Sequence, residues 1–436
     1  MVGETKTSLF LCFSFLPLLI LSRSHVSRAA ETLSPDESLT GKQVLTSKGG
    51  NFELGFFQPG PSPQYYLAIW YKRVSKRTAV WVANRETPLS DDESPEVRIA
   101  DDGNLVILDR SKRAVWSTNS SSPVANSAVV EAELLDSGNL VLRNRSSNFN
   151  SSQILWQSFD HPTDTWLPGG WLGLNRVTGE DQLLISWRSS EDPAPGPFSL
   201  ELDRDGSSQY LIRWNRTISY WTSGLWNPST QTFDQVPEMR TSYNYNFSFT
   251  TTDKGNYFTY DVYDPSIITR FVMDLTGQIK QFTWVENSQQ WNVFWSKPDA
   301  QCDVYSLCGS FGTCNADGLP PCSCAQGFRP RFPENWNLSD WSGGCARKTP
   351  LTCDDGDGFS LLTAVRRPAN FQSSSVGSRE ECESVCRRDC SCSAYSFSNG
   401  TSGKLIQVIQ ALYISISVSQ NRILVSPGTA AAEDCL

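Results

Sequence analysis

The chain contains 436 residues, 39% of them hydrophobic, with 15 Trp, 22 Phe and 13 Tyr, and this composition supports roughly two to four folded domains. Its formal net charge of -9 argues against a nucleic-acid-binding protein, because phosphate contacts require clustered Lys and Arg. His25 and His161 are the only histidines in the sequence, which is too few to favour a histidine-based zinc centre or catalytic triad.

The amino terminus predicts a cleaved signal peptide over residues 1–29. An apolar run from Leu9 to Leu21 follows Lys6, and the small residues Ser27 and Ala29 suit a signal peptidase. The run is shorter than the roughly 20 apolar residues that span a bilayer, so a cleaved leader is favoured over a membrane anchor. We therefore expect a secreted, extracellular chain.

Glycosylation sequons support the same compartment. An Asn-x-Ser/Thr sequon that carries glycan must lie on the surface of a protein in the secretory pathway. The predicted N-glycosylation sites are Asn119, Asn144, Asn150, Asn215, Asn246, Asn337 and Asn399.

A weak internal repeat organises the cysteine-free part of the chain. The tripeptide Ala-Val-Trp at 79–81 recurs at 114–116 and, more loosely, as Ile-Leu-Trp at 154–156, while Asp-Gly-Asn-Leu-Val at 102–106 recurs as Ser-Gly-Asn-Leu-Val at 137–141. Each unit is too short to close its own core, so we expect the repeats to pack together with the tryptophans in a shared interior. Alternating apolar residues and the glycine turns predict antiparallel β-structure.

These repeats resemble the bulb-type mannose-binding lectin domain, a three-fold β-prism whose sugar pockets carry Gln-x-Asp-x-Asn-x-Val-x-Tyr. Alternate residues of one strand face the same side, so this motif can present several hydrogen-bonding groups to neighbouring sugar hydroxyls. The resemblance implies carbohydrate-binding roles for the residues that match: Asp102, Asn104, Val106, Asn139 and Val141.

Both copies of the sugar motif are degenerate. In the first copy Ala100 stands at the Gln position and Leu108 at the Tyr position, and in the second Leu135, Ser137 and Arg143 replace Gln, Asp and Tyr. Each lost hydrogen bond costs about 1 kcal/mol, so the sequence predicts weak mannose binding at most. An alternative interpretation is that Asp-Gly-Asn is a turn that closes a hairpin.

A longer motif follows at 156–169, where the chain reads Trp-Gln-Ser-Phe-Asp-His-Pro-Thr-Asp-Thr-Trp-Leu-Pro-Gly. With Trp-Arg-Ser-Ser-Glu-Asp-Pro at 187–193 and Trp-Thr-Ser-Gly-Leu-Trp-Asn at 221–227, it resembles the plant S-locus glycoproteins and the extracellular part of S-domain (G-type lectin) receptor-like serine/threonine kinases. The resemblance extends to Tyr395. It implies a ligand-binding region for cell-surface signalling, such as pollen recognition or defence.

The same motif contains Asp160, His161 and Asp164, whose side chains are capable of general acid/base chemistry. Pro162 and Pro168 mark a rigid turn, no nucleophile lies at an informative spacing, and Asp side chains commonly cap turns. We therefore predict no catalytic residue in this motif.

The region from 156 to 297 predicts a second β-rich unit. Aromatic residues alternate with polar ones from Tyr243 to Phe249, and a strand-turn-strand pattern surrounds Gly277. The resemblance identifies this unit as the S-locus glycoprotein domain. The expected fold class is all-β, with tandem β-prism (bulb-lectin-like) domains at 30–155 and 156–297 followed by small disulfide-rich modules.

Twelve of the 13 cysteines fall between Cys302 and Cys435, a density typical of disulfide-stapled extracellular modules. The first six resemble an EGF-like domain at 298–346. Six cysteines allow 15 connectivities, and the resemblance implies the pairs Cys302–Cys314, Cys308–Cys322 and Cys324–Cys345. A zinc site in this module is disfavoured because no histidine lies nearby. A calcium site at Asp299 and Gln301 is disfavoured because the remaining ligands of the calcium-binding pattern are missing. We predict neither a metal nor a cofactor.

The last cysteines resemble a partial PAN/apple module at 353–402. Cys382 and Cys386 are four residues apart, on one face of a predicted short helix. The pairing stays open for Cys353, Cys382, Cys386, Cys390 and Cys392. After Tyr395 the chain departs from the family, and we interpret 403–436 as an atypical tail from alternative splicing, intron read-through or a truncated gene model. This interpretation predicts a strained or incomplete module, with Cys435 as its one downstream cysteine.

The sequence contains no Gly-rich phosphate loop, no His-Arg-Asp catalytic loop and no Asp-Phe-Gly motif, so we expect that this chain is not an enzyme. The resemblance implies that full-length relatives are plasma-membrane kinases.

Expected partners are a secreted peptide or protein ligand or a glycan, a second copy of the chain, or a related receptor kinase. The alternatives are a mannose-binding secreted lectin and a secreted hydrolase, which would need close carboxylates or a nucleophile pair.

Overall fold

The computed structural model describes residues 31–90, 95–120, 129–145, 154–241, 243–337, 339–352, 357–366, 378–398, 408–417 and 434–435, together with Gly3 and Val376. The predicted signal peptide lies outside the described residues apart from Gly3, and so do Asn150, Cys353 and Asn399. Among the described residues, no helix combines the length and the hydropathy needed to cross a bilayer.

The described residues from 32 to 157 form three four-stranded antiparallel sheets, here called the first prism. Their strands are β1 (Thr32–Leu33), β2 (Ser38–Thr40), β3 (Val44–Thr46), β4 (Phe52–Phe57), β5 (Tyr66–Tyr71), β6 (Ala79–Val82), β7 (Glu96–Ile99), β8 (Leu105–Leu108), β9 (Ala114–Ser117), β10 (Val130–Leu134), β11 (Leu140–Asn144) and β12 (Ile154–Gln157). The sheet orders are β3-β4-β5-β6, β2-β7-β8-β9 and β1-β10-β11-β12. Each opening strand therefore joins a later three-stranded meander. Because β12 ends at Gln157, the first prism extends past the predicted boundary at 155.

The repeated tryptophans meet in the core that the three sheets enclose. The ring centroids of Trp81 and Trp116 are 6.0 Å apart, those of Trp81 and Trp156 are 5.9 Å apart, and those of Trp116 and Trp156 are 6.0 Å apart. All three pairs have the edge-to-face geometry that aromatic rings prefer. The repeat at Gly103 and Gly138 forms turns with φ of 82° and 84°, which glycine adopts without strain. The predicted shared interior is confirmed.

The described residues from 165 to 297 repeat this architecture as a second prism. Its strands are β13 (Thr165–Trp166), β14 (Trp171–Asn175), β15 (Asp181–Gln182), β16 (Leu184–Ser189), β17 (Asp192–Leu202), β18 (Tyr210–Trp214), β19 (Ile218–Thr222), β20 (Trp226–Asn227), β21 (Thr232–Phe233), β22 (Tyr245–Thr252), β23 (Gly255–Val262), β24 (Thr269–Met273), β25 (Ile279–Val285) and β26 (Gln290–Lys297). The sheet orders are β13-β24-β25-β26, β15-β14-β23-β22 and β16-β17-β18-β19, with β20 and β21 as a small ribbon. Strand β13 joins the later meander β24-β25-β26 and the hairpin of β14 and β15 joins the later hairpin of β22 and β23, so the predicted tandem of β-prisms is confirmed.

The two prisms contact each other through arginines that cross the interface in both directions. Arg85 of the first prism donates to the carbonyl oxygens of Ile185, Ser186 and Pro193 in the second, at 3.0, 2.9 and 2.5 Å. Arg270 of the second prism lies over the Trp291 ring and donates back to the Ala79 carbonyl at 3.4 Å. These contacts hold the prisms together through buried polar groups.

The EGF-like module consists of two short ribbons. β27 (Gly312–Cys314) pairs with β28 (Cys322–Cys324), β29 (Phe328–Pro330) pairs with β30 (Cys345–Arg347), and α1 (Pro333–Asn337) lies between the last two strands in sequence. Disulfides join the same pairs that the resemblance implies, with Cα–Cα distances of 5.6, 5.4 and 5.8 Å for Cys302–Cys314, Cys308–Cys322 and Cys324–Cys345. Val304 and Leu307 belong to the core cluster of the second prism, so the module packs against it.

The last module combines β31 (Asp357–Arg366), α2 (Arg379–Arg388), β32 (Ala394–Tyr395), β33 (Phe397–Ser398), β34 (Val408–Ser417) and β35 (Asp434–Cys435). α2 begins after Ser378, whose hydroxyl accepts a hydrogen bond from the Glu381 N–H at 3.1 Å. Cys382 and Cys386 are both buried on α2, as the spacing predicts. Cys386 is bonded to Cys392, and Cys382 and Cys390 are also disulfide-bonded.

Two described stretches of the segment predicted to be an atypical tail, 408–417 and 434–435, pair with strands of this module. β34 pairs with β31 from Asp357↔Ser417 to Arg366↔Val408 and also pairs with β32, and β35 pairs with β33. The physical reason is local: the segment 408–416 contains Val and several Ile, which favour extended backbone. The stretch 408–417 therefore forms a strand although the chain departs from the family sequence after Tyr395.

Candidate functional site

The first copy of the sugar motif lies at the start of β8, where Asn104 is buried among protein partners. Asn104 Oδ1 accepts hydrogen bonds from Thr118 Oγ1 at 2.8 Å and from the Ser120 N–H at 2.7 Å. Its Nδ2 donates to Asp102 Oδ2 at 3.0 Å, and the Asp102 carboxylate also accepts from the Asn104 N–H. These hydrogen bonds lower the pKa of Asp102. The polar atoms of Asn104 therefore have partners both within the turn and at the end of the neighbouring strand.

The second copy uses the same arrangement at the start of β11. Asn139 Oδ1 accepts from Ser158 Oγ at 3.1 Å and from the Phe159 N–H at 3.2 Å, and its Nδ2 donates to Gln157 Oε1 at 2.9 Å. In each copy the same hydroxyl, of Thr118 or Ser158, also accepts the N–H of the residue after the asparagine. The repeated asparagines thus anchor each strand to the end of its sheet.

The other positions of the motif also have protein surroundings. Val106 and Val141 are buried. Arg143, which stands at the Tyr position of the second copy, forms ion pairs with Glu131 at 3.0 Å and Glu133 at 2.5 Å. The five predicted carbohydrate-binding residues therefore offer few free polar atoms to a sugar.

The remaining sheet of the first prism, β3-β4-β5-β6, does not contain a copy of the sugar motif, and its outward face is covered by protein. Tyr66 and Trp70 of β5 form a buried cluster with Phe57, and Trp187 of the second prism packs against it. The rings of Phe57 and Trp187 are 6.4 Å apart in an edge-to-face contact. This face of the first prism therefore contributes to the interface between the prisms.

Replacing Asn104 with Ala is expected to lower the free energy of unfolding by about 1–3 kcal/mol, because buried donors and acceptors lose their partners. The pKa of Asp102 should rise at the same time, since the side-chain hydrogen bond that lowers it is removed. Urea unfolding and NMR titration of Asp102 measure the two effects. Asp101→Ala, at the exposed neighbour, is the control; equal stability of Asn104→Ala and Asp101→Ala would contradict the structural role.

Among the acid and histidine side chains of the 156–169 motif, Asp164 is buried, Asp160 is half-buried and His161 is exposed. His161 stacks on Trp156 with ring centroids 5.3 Å apart, and its carbonyl oxygen accepts from Trp81 Nε1 at 2.9 Å. Asp164 is buried near Arg85 and accepts from Thr163 Oγ1 at 3.2 Å, and burial raises its pKa. Burial also raises the pKa of Asp160, which accepts from Gln157. The motif organises the junction of the two prisms.

Most of the predicted glycosylation sites lie on the surface. Asn119, Asn215, Asn246 and Asn337 are exposed, and Asn144 is half-buried. We expect glycan at the four exposed asparagines when the chain is produced in a secretory host, and peptide mass mapping with and without glycosidase measures occupancy at each. Unmodified asparagine at all four would contradict a surface that passes through the secretory pathway.

One feature of the second prism has no counterpart in the predicted site residues. A cavity of about 460 Å³ opens into its interior between the sheet that contains β22 and the sheet that contains β25 and β26. Alternating aromatic residues on β22 were the only sequence signal for it, and this pattern predicts a strand face but not the empty space beside it.

Three family models match the chain in order. The D-mannose binding lectin family matches residues 78–188, the S-locus glycoprotein domain matches 221–332, and the PAN-like domain matches 353–408. These matches follow the order of the modules in the structure.

Two curated relatives and one solved structure illustrate the similarity. A G-type lectin S-receptor-like serine/threonine-protein kinase of Arabidopsis thaliana is 47% identical over 92% of this chain and 47% of its own length, so the chain spans about half of that relative. S-locus-specific glycoprotein S6 of Brassica oleracea is 40% identical over 86% of each chain. The mannose-specific agglutinin from snowdrop (Galanthus nivalis) bulbs is 20% identical over 28% of this chain and 95% of the agglutinin, with a TM-score of 0.21.

Proposed function

The chain belongs to the family of S-locus glycoproteins and G-type lectin S-receptor-like kinases, and on that premise we propose that it is an extracellular recognition region that binds a secreted protein or peptide. The observation that carries the proposal is the match to S-locus-specific glycoprotein S6 over 86% of both chains. Disulfide-bonded modules and exposed sequons support a location outside the cell. In this proposal the chain acts by binding and pairing, without catalysis.

The occupied sugar motif favours a protein or peptide ligand over mannose. Asn104 and Asn139 make their hydrogen bonds within the first prism. The outward face of the sheet β3-β4-β5-β6 is covered in part by Trp187 of the second prism. The net charge of -9 favours a basic partner, because complementary charge accelerates association. A homodimer or a complex with a related receptor kinase is the corresponding proposal for its assembly.

The test is a binding screen with the chain secreted from a eukaryotic host and immobilised by one end. Saturable binding of a basic, disulfide-linked secreted peptide, unchanged by 0.1 M methyl-α-D-mannoside, is the expected result. Binding of mannose-terminated glycans alone, with full competition by the mannoside, would overturn the proposal. Sedimentation velocity of the same sample, with and without the peptide, reports whether the chain pairs with itself.

The second candidate function is mannose binding, which the lectin family match at 78–188 favours. We expect methyl-α-D-mannoside to bind the parent chain no more tightly than about 1 mM, the regime of roughly -4 kcal/mol. Ala100→Gln combined with Leu108→Tyr restores the two missing motif residues of the first copy and is the matched variant for calorimetry. Binding by the parent as tight as by this variant would favour the lectin function.

A further inference from the structure

The cavity of the second prism has the size and the lining of a ligand site. Its volume of about 460 Å³ falls within the ~300–1,000 Å³ range of small-molecule pockets. Its floor includes the side chains of Trp166, Phe258 and Phe271, and its mouth includes Tyr243 and Phe294, which are 88% and 66% exposed. We propose that this cavity binds a small, uncharged, largely aromatic ligand.

The walls leave aromatic surface unburied inside the prism. Tyr245, Phe247 and Phe249 lie on the core side of β22 and pack against the buried cluster, but each is only half-buried. Phe247 stacks on Phe258 with centroids 5.9 Å apart, so a flat wall of rings faces the cavity. Covering such surface with an aromatic ligand is favourable by about 25 cal/mol per Å² of apolar area removed from water.

Gln281 is one of the polar side chains of the lining and can orient the ligand. Gln281 Nε2 donates to Tyr245 Oη at 2.5 Å, Tyr245 Oη lies 3.0 Å from Thr269 Oγ1, and Thr269 donates to the Phe282 carbonyl at 2.9 Å. This chain of hydrogen bonds fixes the Gln281 amide at the cavity wall. Gln281 Oε1 has no hydrogen-bond partner among the described residues and can accept from an N–H or O–H of the ligand.

The charge of the lining decides against an anionic ligand. Among the described residues that line the cavity, none is Lys, Arg or His, and Glu238 is the one carboxylate. Lys297 already pairs with Glu238 at 2.9 Å and with Asp299 at 3.0 Å. A carboxylate or sulfate group placed against these rings would be desolvated without a counter-charge, which is costly.

Two fluorescent probes with the same ring system separate these possibilities. N-phenyl-1-naphthylamine is neutral and carries one N–H, whereas 8-anilino-1-naphthalenesulfonate adds a sulfonate to the same rings. We expect the neutral probe to bind the full secreted chain at one saturable site, at least about 10-fold more tightly than the anionic probe. Equal affinities, absence of saturation or failure of the neutral probe to bind would each overturn the proposal.

Variants then place the probe in the cavity. Met239→Trp fills the space from the lining and should abolish binding of the neutral probe, whereas Val177→Trp adds the same bulk at a residue that is 73% exposed and outside the lining. Gln281→Leu keeps the size of the side chain and should weaken the neutral probe about 5-fold. Near-ultraviolet circular dichroism shows that each variant is folded. Undiminished binding to folded Gln281→Leu and Met239→Trp would exclude this cavity as the site.

Discussion

Replacing Trp156 with Ala is expected to lower the free energy of unfolding of the first prism by about 3–5 kcal/mol, the usual cost of truncating a buried Trp. Trp156 is buried where the three sheets meet, and its ring contacts both Trp81 and Trp116 as well as His161. The substitution removes a shared surface from all three sheets at once. Urea unfolding followed by far-ultraviolet circular dichroism measures the change.

Comparison of two tryptophans of the cluster sharpens this test. Trp116→Ala should cost less than Trp156→Ala, because Trp116 is only partly buried. Trp156→Phe should recover a large part of the loss, since it keeps an aromatic ring in the cluster. Tyr243→Ala, at a residue that is 88% exposed, is the control. An equal, small effect for all four variants would mean that the tryptophan cluster does not hold the first prism together.

The sequence predicted this cluster because its signal is periodic. Three tryptophans at matching positions of a repeat must occupy equivalent places in three sheets, and that is enough to place them at a common centre. The spacing of the cysteines between Cys302 and Cys345 carried less information. It left 15 connectivities open, and only the resemblance to a known module selected the three pairs that the structure contains.

The contacts that sequence reasoning missed are not periodic. Arg85 and Ser186 are 101 residues apart, and Arg270 and Ala79 are 191 apart, so no local pattern announces that these groups meet. The cavity of the second prism was missed for a related reason: its boundary depends on how three sheets lie around an axis. In the last module, the Val and Ile content of 408–417 favours a strand even though the chain departs from the family sequence there.

The largest expected effect outside the tryptophan cluster belongs to Arg85. Arg85→Ala should lower the free energy of unfolding by about 3–5 kcal/mol, because it breaks a buried charged cluster and leaves its partners uncompensated. Three carbonyl oxygens of the second prism lose their arginine donor, and buried Asp164 loses a neighbouring positive charge. We expect urea unfolding to separate into two transitions as the prisms uncouple.

Matched variants distinguish this interface from a general loss of charge. Arg85→Lys keeps the charge but not the planar fork of donors, so it should recover only part of the stability. Arg73→Ala removes an exposed arginine that makes one backbone contact at 3.4 Å and should change stability by less than about 1 kcal/mol. One unchanged transition for Arg85→Ala would show that apolar contacts such as Trp187 on Phe57 suffice to join the prisms.

The pH dependence of Arg85→Ala should identify Asp164 as the source of the penalty. Burial raises the pKa of Asp164, and the charge of Arg85 opposes that rise, so removing Arg85 should raise the pKa further. An acid whose pKa is raised by folding destabilises the native state when ionised, and protonation relieves the penalty as the pH falls toward the unfolded value of about 3.9. The stability deficit of Arg85→Ala should therefore shrink between pH 7 and pH 4, and Asp164→Asn in the same background should remove that pH dependence.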